Sequence, residues 1–187
     1  QQLRAVSRRD WTDHTVIRDG SERQMQAYRV VYDELMLFHH LAAHEPIWTG
    51  TFPLDLDTED SDIDIICNPE SLRPFLLQVK SLYENQPDFR LTWKAIDRVP
   101  PVLARFTCNG FPVELFAQPR PTASQQSFVH MVVEARLLAL GGAEAREGSR
   151  ELKQDGYTTE EAFVKYFNII ADAPYEKLLS FARLDND

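Results

Sequence analysis

Residues 50–67 read GTFPLDLDTEDSDIDIIC. Gly50-Thr51 opens a turn, ten residues follow, and Asp62-Ile63-Asp64-Ile65-Ile66-Cys67 reads as a strand interrupted on one face by two acids. On a strand, positions i and i+2 share a face, so the Asp62 and Asp64 carboxylates project together from Cα atoms roughly 6.5–7 Å apart, and Ile63 and Ile65 turn the other way into a core. Two acids on one face of a buried strand repel. The usual resolutions are a raised pKa, a basic partner or a hard divalent cation. No basic residue is close in sequence, because the chain contains neither Lys nor Arg between Arg29 and Arg73. Such a pair suits Mg²⁺ (or Mn²⁺), which takes one or two protein carboxylates and fills its shell with water and phosphate oxygens.

Outward from this stretch, Ile47-Trp48-Thr49 predicts a short strand ahead of the turn, after a Pro46 that closes a long helix over 21–43. That helix opens on a Ser21-x-x-Gln24 capping box and carries Tyr28, Val31, Leu35, Phe38 and Ala42 at helical spacing. Downstream, Leu72, Phe75, Leu76, Val79 and Tyr83 mark a second amphipathic helix, and alternation over 89–95 marks a half-exposed strand. Asn109-Gly110 is a hairpin signal, because both turn positions need positive φ. It joins strands over 102–108 and 111–117 and places Phe106 opposite Val113 and Arg105 opposite Glu114. Helices are predicted over 125–140, 149–155, 159–171 behind a Thr158-x-x-Glu161 box, and 175–182. These elements predict an α/β (α+β) chain. It is read as one domain over 1–187, with a sheet core over about 21–120 and C-terminal helices over about 121–187 packed on it.

The chain has 187 residues, 43% of them hydrophobic and 26% charged, which excludes disordered and low-complexity classes. No apolar run approaches the roughly 18 residues of a membrane span. Two widely spaced cysteines, Cys67 and Cys108, fit neither a disulfide framework nor a zinc site, and point to a reducing, cytoplasmic compartment. The net charge is −9, and the segment between Arg29 and Arg73 holds ten acids and no base, leaving the rest near neutral. Asp55, Asp57, Glu59 and Asp60 read as a solvated acidic loop. A surface of this sign disfavours general binding to the nucleic-acid backbone.

A turn after a strand, a gap of ten residues, Asp-Ile-Asp-Ile, and a later Val113-Glu114-Leu115 strand together resemble the nucleotidyltransferase fold shared with polymerase beta. Within that superfamily the chain is similar to a small bacterial nucleotidyltransferase-like family of unknown function. The similar stretches are residues 50–54 and 61–67, Val113-Glu114-Leu115-Phe116, His130-Met131 with Glu134 and Arg136, and Asp172-Ala173-Pro174-Tyr175. The resemblance implies a mixed β-sheet flanked by helices, with Asp62 and Asp64 as metal ligands and Glu114 as a third ligand or as the base. It also implies that Gly50 and Thr51, with Ser61, contact the triphosphate. Physical chemistry agrees for the turn: glycine permits close backbone approach, successive N–H groups form an anion-binding concavity, and a Thr hydroxyl donates to phosphate oxygens. Thr51 stands where Ser is commoner.

Taken alone, Glu114 has a second reading, a cross-strand ion pair with Arg105. Arg105 and Lys153 are candidates for neutralising phosphates. His130 and Glu134 form an i,i+4 pair, and their recurrence with Arg136 in the resembling family implies substrate contact. His39, His40 and His44 lack a further ligand and read as helix-terminal imidazoles, and Cys67 reads as core. The expectation is a Mg²⁺-dependent nucleotidyltransferase that moves a nucleoside monophosphate from a triphosphate such as ATP to a hydroxyl. The acceptor is a small molecule, a protein or an RNA end. The alternative is a catalytically inactive nucleotide-sensing or protein-interaction module on the same scaffold.

Overall fold

The computed structural model describes residues 21–93 and 101–182. A five-stranded sheet in the order β1-β2-β5-β4-β3 is built from β1 (Ile47–Thr49), β2 (Ile63–Cys67), β3 (Arg90–Trp93), β4 (Val102–Cys108) and β5 (Phe111–Ala117). β2 and β5 run parallel, and every other neighbouring pair is antiparallel. Asn109 and Gly110 have φ of 48° and 80°, and the hairpin pairs Arg105 with Glu114 and Phe106 with Val113, the predicted register. The strand predicted over 89–95 is observed over Arg90–Trp93, and its last positions, Lys94 and Ala95, lie outside the described residues.

The long first helix is not continuous. α1 (Glu22–Arg29) passes into a π-helical turn, Val30–Glu34, and Met36 adopts a left-handed φ of 46° before α2 (Leu37–His40) and a 3₁₀ turn at Ala42–His44. The burial pattern gives the reason. Ala27, Val30, Val31 and Leu35 follow helical spacing, but the next buried residues are Leu37 and Leu41. The break rotates the chain so that these leucines are fully buried, while Phe38 packs at the edge of the same core and Ala42 is exposed.

α3 (Leu72–Tyr83) buries Phe75, Val79 and Tyr83. α4 (Gln126–Gln154) joins two of the predicted helices, with a non-helical Gly142 between them. α5 (Thr159–Tyr166) opens on its predicted capping box but ends five residues early, and α6 (Pro174–Phe181) completes the layer.

Strand alternation divides the sheet into two faces with separate cores. Trp48, Ile63, Ile65, Val113 and Leu115 pack with Ala27 of α1, Val31 of the π-helical turn, and Phe75 and Val79 of α3. Ile47 and Ile66 point to the opposite face and pack with Phe128, Met131, Phe163 and Leu178 of α4–α6. Asp64 and Glu114 lie on this second face, two positions before Ile66 and Phe116.

The acidic loop departs from expectation, because it is docked and not simply solvated. Arg150 pairs with Asp55 at 2.9 Å and Arg23 faces Asp57 at 3.9 Å. Arg23 donates to the Thr58 and Glu59 carbonyls, Arg146 to Leu54, Arg150 to Asp55 and Lys153 to Leu56. Arg146, Arg150 and Lys153 fall at i, i+4 and i+7 on α4, so one helix face holds the loop. Asp57 has only 6% of its side chain exposed. Burial raises its pKa, with its own backbone hydrogen bond, Arg150 and Arg23 pulling the other way.

Candidate active site

The parallel register of β2 and β5 sets Asp64 beside Glu114, and Asp62, just before β2, extends the same face. Helices pack directly on the Ile66–Phe116 end of that face, whereas at Asp64 they stand back to leave a cavity. β1 pairs Thr49 with Asp64, which delivers the following residue, Gly50, onto the Asp64 carboxyl. Gly50 has φ 79°, and a Cβ there would collide with Asp64 Oδ2. No side chain fits between this turn and the carboxylate. Glycine is required both for the left-handed backbone and for the approach.

Each acid feels the others. Asp64 is pushed up to about 7 by burial, then by Glu114 and Asp62, with Arg105 and Lys153 opposing. Asp62 is raised by partial burial and by Glu114, with Arg105 opposing. Arg105 donates to Glu114 Oε2 at 2.7 Å, so the cross-strand pair read from the hairpin register is present, and it is the pair that neutralises the third acid. The carboxylate oxygens of Asp62, Asp64 and Glu114 suit a hard divalent cation in kind, but they are not drawn together into a three-ligand cluster; among the described residues that closeness is found at His130, Glu134 and Glu160.

Two concavities flank these acids. The first, about 250 Å³, is lined by Gly50, Thr51 and Asp64 from the sheet and by His130, Glu134 and Glu160 from the helices, among others. The second, about 200 Å³, includes Asp62, Glu114, Arg105 and Arg90 in its wall. Of the sequence-predicted residues, Gly50, Thr51, Asp64 and His130 therefore meet in one cavity, and Asp62, Glu114 and Arg105 meet in the other. Ser61 lines neither; its hydroxyl accepts the Thr58 N–H at 2.8 Å and closes a turn. Lys153 donates to the Leu56 carbonyl at 3.0 Å, and burial lowers its pKa against the pull of Glu134, Asp57, Glu160 and Asp64. It braces the loop while its charge reaches the cavity.

His130 is 5% exposed and lies against Tyr175, with ring centroids 3.8 Å apart and the planes tilted by 34°. Burial lowers its pKa, opposed by Glu160 and Glu176. Glu134 is pushed up to about 8 by burial and then by Glu160, with Lys153 opposing. Sequence reading missed Glu160 and Tyr175 as cavity residues. Glu160 sits in the first turn of α5, where an acid is ordinary, and Tyr175 follows a Pro174 that merely starts a helix. Only the packing of α5 and α6 on α4 reveals their address. His44, by contrast, bonds to Gln78 at 2.8 Å and packs on Phe75, as a structural imidazole does.

The architecture is that of the nucleotidyltransferase fold. It is similar to Cid1 poly(U) polymerase bound to MgGTP, at 17% identity over 72% of this chain and 42% of that one, TM-score 0.52. A Cid1 mutant bound to MgATP aligns at 15% identity over 85% of this chain and 49% of that one, TM-score 0.55. The GLD-2/RNP-8 complex aligns at 12% identity over 78% and 58%, TM-score 0.52. The chain thus spans roughly half the length of these structures. It belongs to the family described as domain of unknown function DUF4269, whose model matches residues 31–181. No curated protein matches it in sequence. Among the described residues, no helix is long and apolar enough to cross a membrane.

Proposed function

We propose that the chain is a divalent-metal-dependent nucleotidyltransferase that transfers a nucleoside monophosphate from a nucleoside triphosphate to a hydroxyl acceptor. One observation carries this reading: the Gly50-Thr51 turn is pressed onto Asp64 while Asp64 stands in parallel register with Glu114. An anion-binding turn and a cluster of carboxylates are natural neighbours only when a cation and a phosphate lie between them. The structural likeness to Cid1 and GLD-2 supports the same reading at the level of fold.

Asp62 and Asp64 would hold Mg²⁺, or Mn²⁺, which would supply neutralisation of the charge on the reacting phosphate. The Gly50 and Thr51 backbone, with the Thr51 hydroxyl, orients the triphosphate in the larger cavity. The acceptor enters from the smaller one, where Glu114 takes the proton of its hydroxyl and Arg105 holds the carboxylate in position. The acceptor oxygen forms its bond to the α-phosphorus as the bond to pyrophosphate breaks. In this assignment Ser61 and Lys153 act through the loop, and His130 belongs to the helical wall.

The test is calorimetric titration of the four ribonucleoside triphosphates with and without Mg²⁺, on the wild type and an Asp62→Asn/Asp64→Asn variant, followed by transfer of α-labelled phosphate. Metal-dependent binding and transfer, both lost in the variant, are expected. Binding without transfer to any acceptor would instead assign the chain to nucleotide sensing.

A further inference from the structure

The helical wall of the larger cavity holds a donor set that nucleotidyl transfer does not use. His130 and Glu134 stand about one turn apart on α4, and α5 presents Glu160. One ligand-type atom from each lies within 4.8 Å of the other two. His130 and Glu134 are 5% and 4% exposed, so water does little for either. The acids alone would prove nothing, but the imidazole is a separate observation. Both His130 ring nitrogens lack a hydrogen-bond partner although the residue lines the cavity. A buried polar atom left unpaired costs about 1–3 kcal/mol, so such an atom calls for an explanation. The Tyr175 ring lies against the imidazole without engaging either nitrogen. Lys153 acts electrostatically on Glu134 and Glu160, yet its ammonium bonds to the Leu56 carbonyl.

We propose that His130, Glu134 and Glu160 form a divalent transition-metal site, suited to Zn²⁺, in the helical wall of this cavity and separate from Asp62, Asp64 and Glu114. One imidazole and two carboxylates make a three-ligand set of the kind that leaves zinc a further position for water or a substrate atom. The imidazole nitrogen sets the site apart from Mg²⁺ and Ca²⁺, which favour oxygen donors. All three residues line the cavity shared with Gly50, Thr51 and Asp64. An ion there offsets the acidity of the wall and accepts a donor atom from the cavity's occupant. This assignment stands independently of nucleotidyl transfer.

The test takes the full chain, stripped of metal, and titrates it with Zn²⁺ by calorimetry and with Co²⁺ by visible absorption. In an Asp62→Asn/Asp64→Asn background, one Zn²⁺ per chain should still bind, and Co²⁺ should give the intense visible bands of a low-coordinate site. Glu134→Gln and Glu160→Gln should each weaken Zn²⁺ binding by more than the roughly 10–100-fold that loss of an outer-shell partner costs. Glu160 is only half-buried, so its variant decides the matter if Glu134→Gln fails to fold by circular dichroism. No Zn²⁺ binding in the double Asn background overturns the proposal. Binding that Glu160→Gln leaves unchanged overturns it as well.

Discussion

In the loop between β1 and β2, Asp55 meets Arg150 at 2.9 Å and Asp57 faces Arg23 at 3.9 Å, while loop carbonyls accept from Arg23, Arg146 and Lys153. A few residues on, Asp64 meets Glu114 and Asp62, and across the cavity Glu134 meets Glu160. Both regions are acidic and both are partly buried, yet one is given cations by the protein and the other is largely left without them. Burying a charge is costly unless it is paired. Acids with protein partners therefore hold structure, whereas Asp64, whose like-charged neighbours add to the effect of its burial, is suited to a cation from outside the chain.

The largest effect that would break this contrast is at Asp64. Asp64→Asn is expected to lower transfer of α-labelled phosphate by roughly 10²–10³-fold or more, the scale of losing a dominant electrostatic contribution. At pH 8 without metal the variant should melt at or above the wild-type temperature, because a repelled carboxylate has gone. A strongly destabilised Asp64→Asn would show that the acid is structural. Arg150→Ala should do the reverse, costing about 2 kcal/mol by urea unfolding, since it removes the charged hydrogen bonds that hold the Asp55 carboxylate and carbonyl.

The pH dependence of metal-free stability sharpens the comparison further. Asp64 and Glu134 are raised to about 7 and about 8 from ordinary values of 3.8 and 4.5. Between those limits the folded state binds more protons than the unfolded one, so stability falls as pH rises. Their contribution is complete below pH 4 and lost by pH 8 to 9. A melting-temperature drop on the order of 10–20 °C between pH 5 and pH 9 is expected, shrinking when divalent metal is added. Glu59→Gln marks the small end. Glu59 is exposed, and its loss should change stability by no more than about 0.5 kcal/mol.

Much of this was legible beforehand because it depends on neighbours in sequence. Both capping boxes, the Asn109-Gly110 hairpin and the pairing of Arg105 with Glu114 are local, and they follow from turn geometry and strand period. The break at Met36 was not legible, because a continuous helix satisfies the local pattern equally well and only the core demands that Leu37 and Leu41 be fully buried. The docked loop escaped for the same reason: its cations lie on α1 and α4, and Arg150 is 95 residues from Asp55 in sequence.

By itself the sequence determined that Asp62 and Asp64 share a face, that Ile63 and Ile65 oppose them, and that Glu114 follows on a later strand, since a period of two leaves no other choice. Tertiary structure alone decided that β5 lies parallel to β2 with Glu114 beside Asp64, and that Gly50 closes on that carboxyl. It also decided that His130, Glu134 and Glu160 meet in the same cavity. Strand order and helix packing are set by burying two apolar faces at once, a condition on the whole chain that no short segment carries.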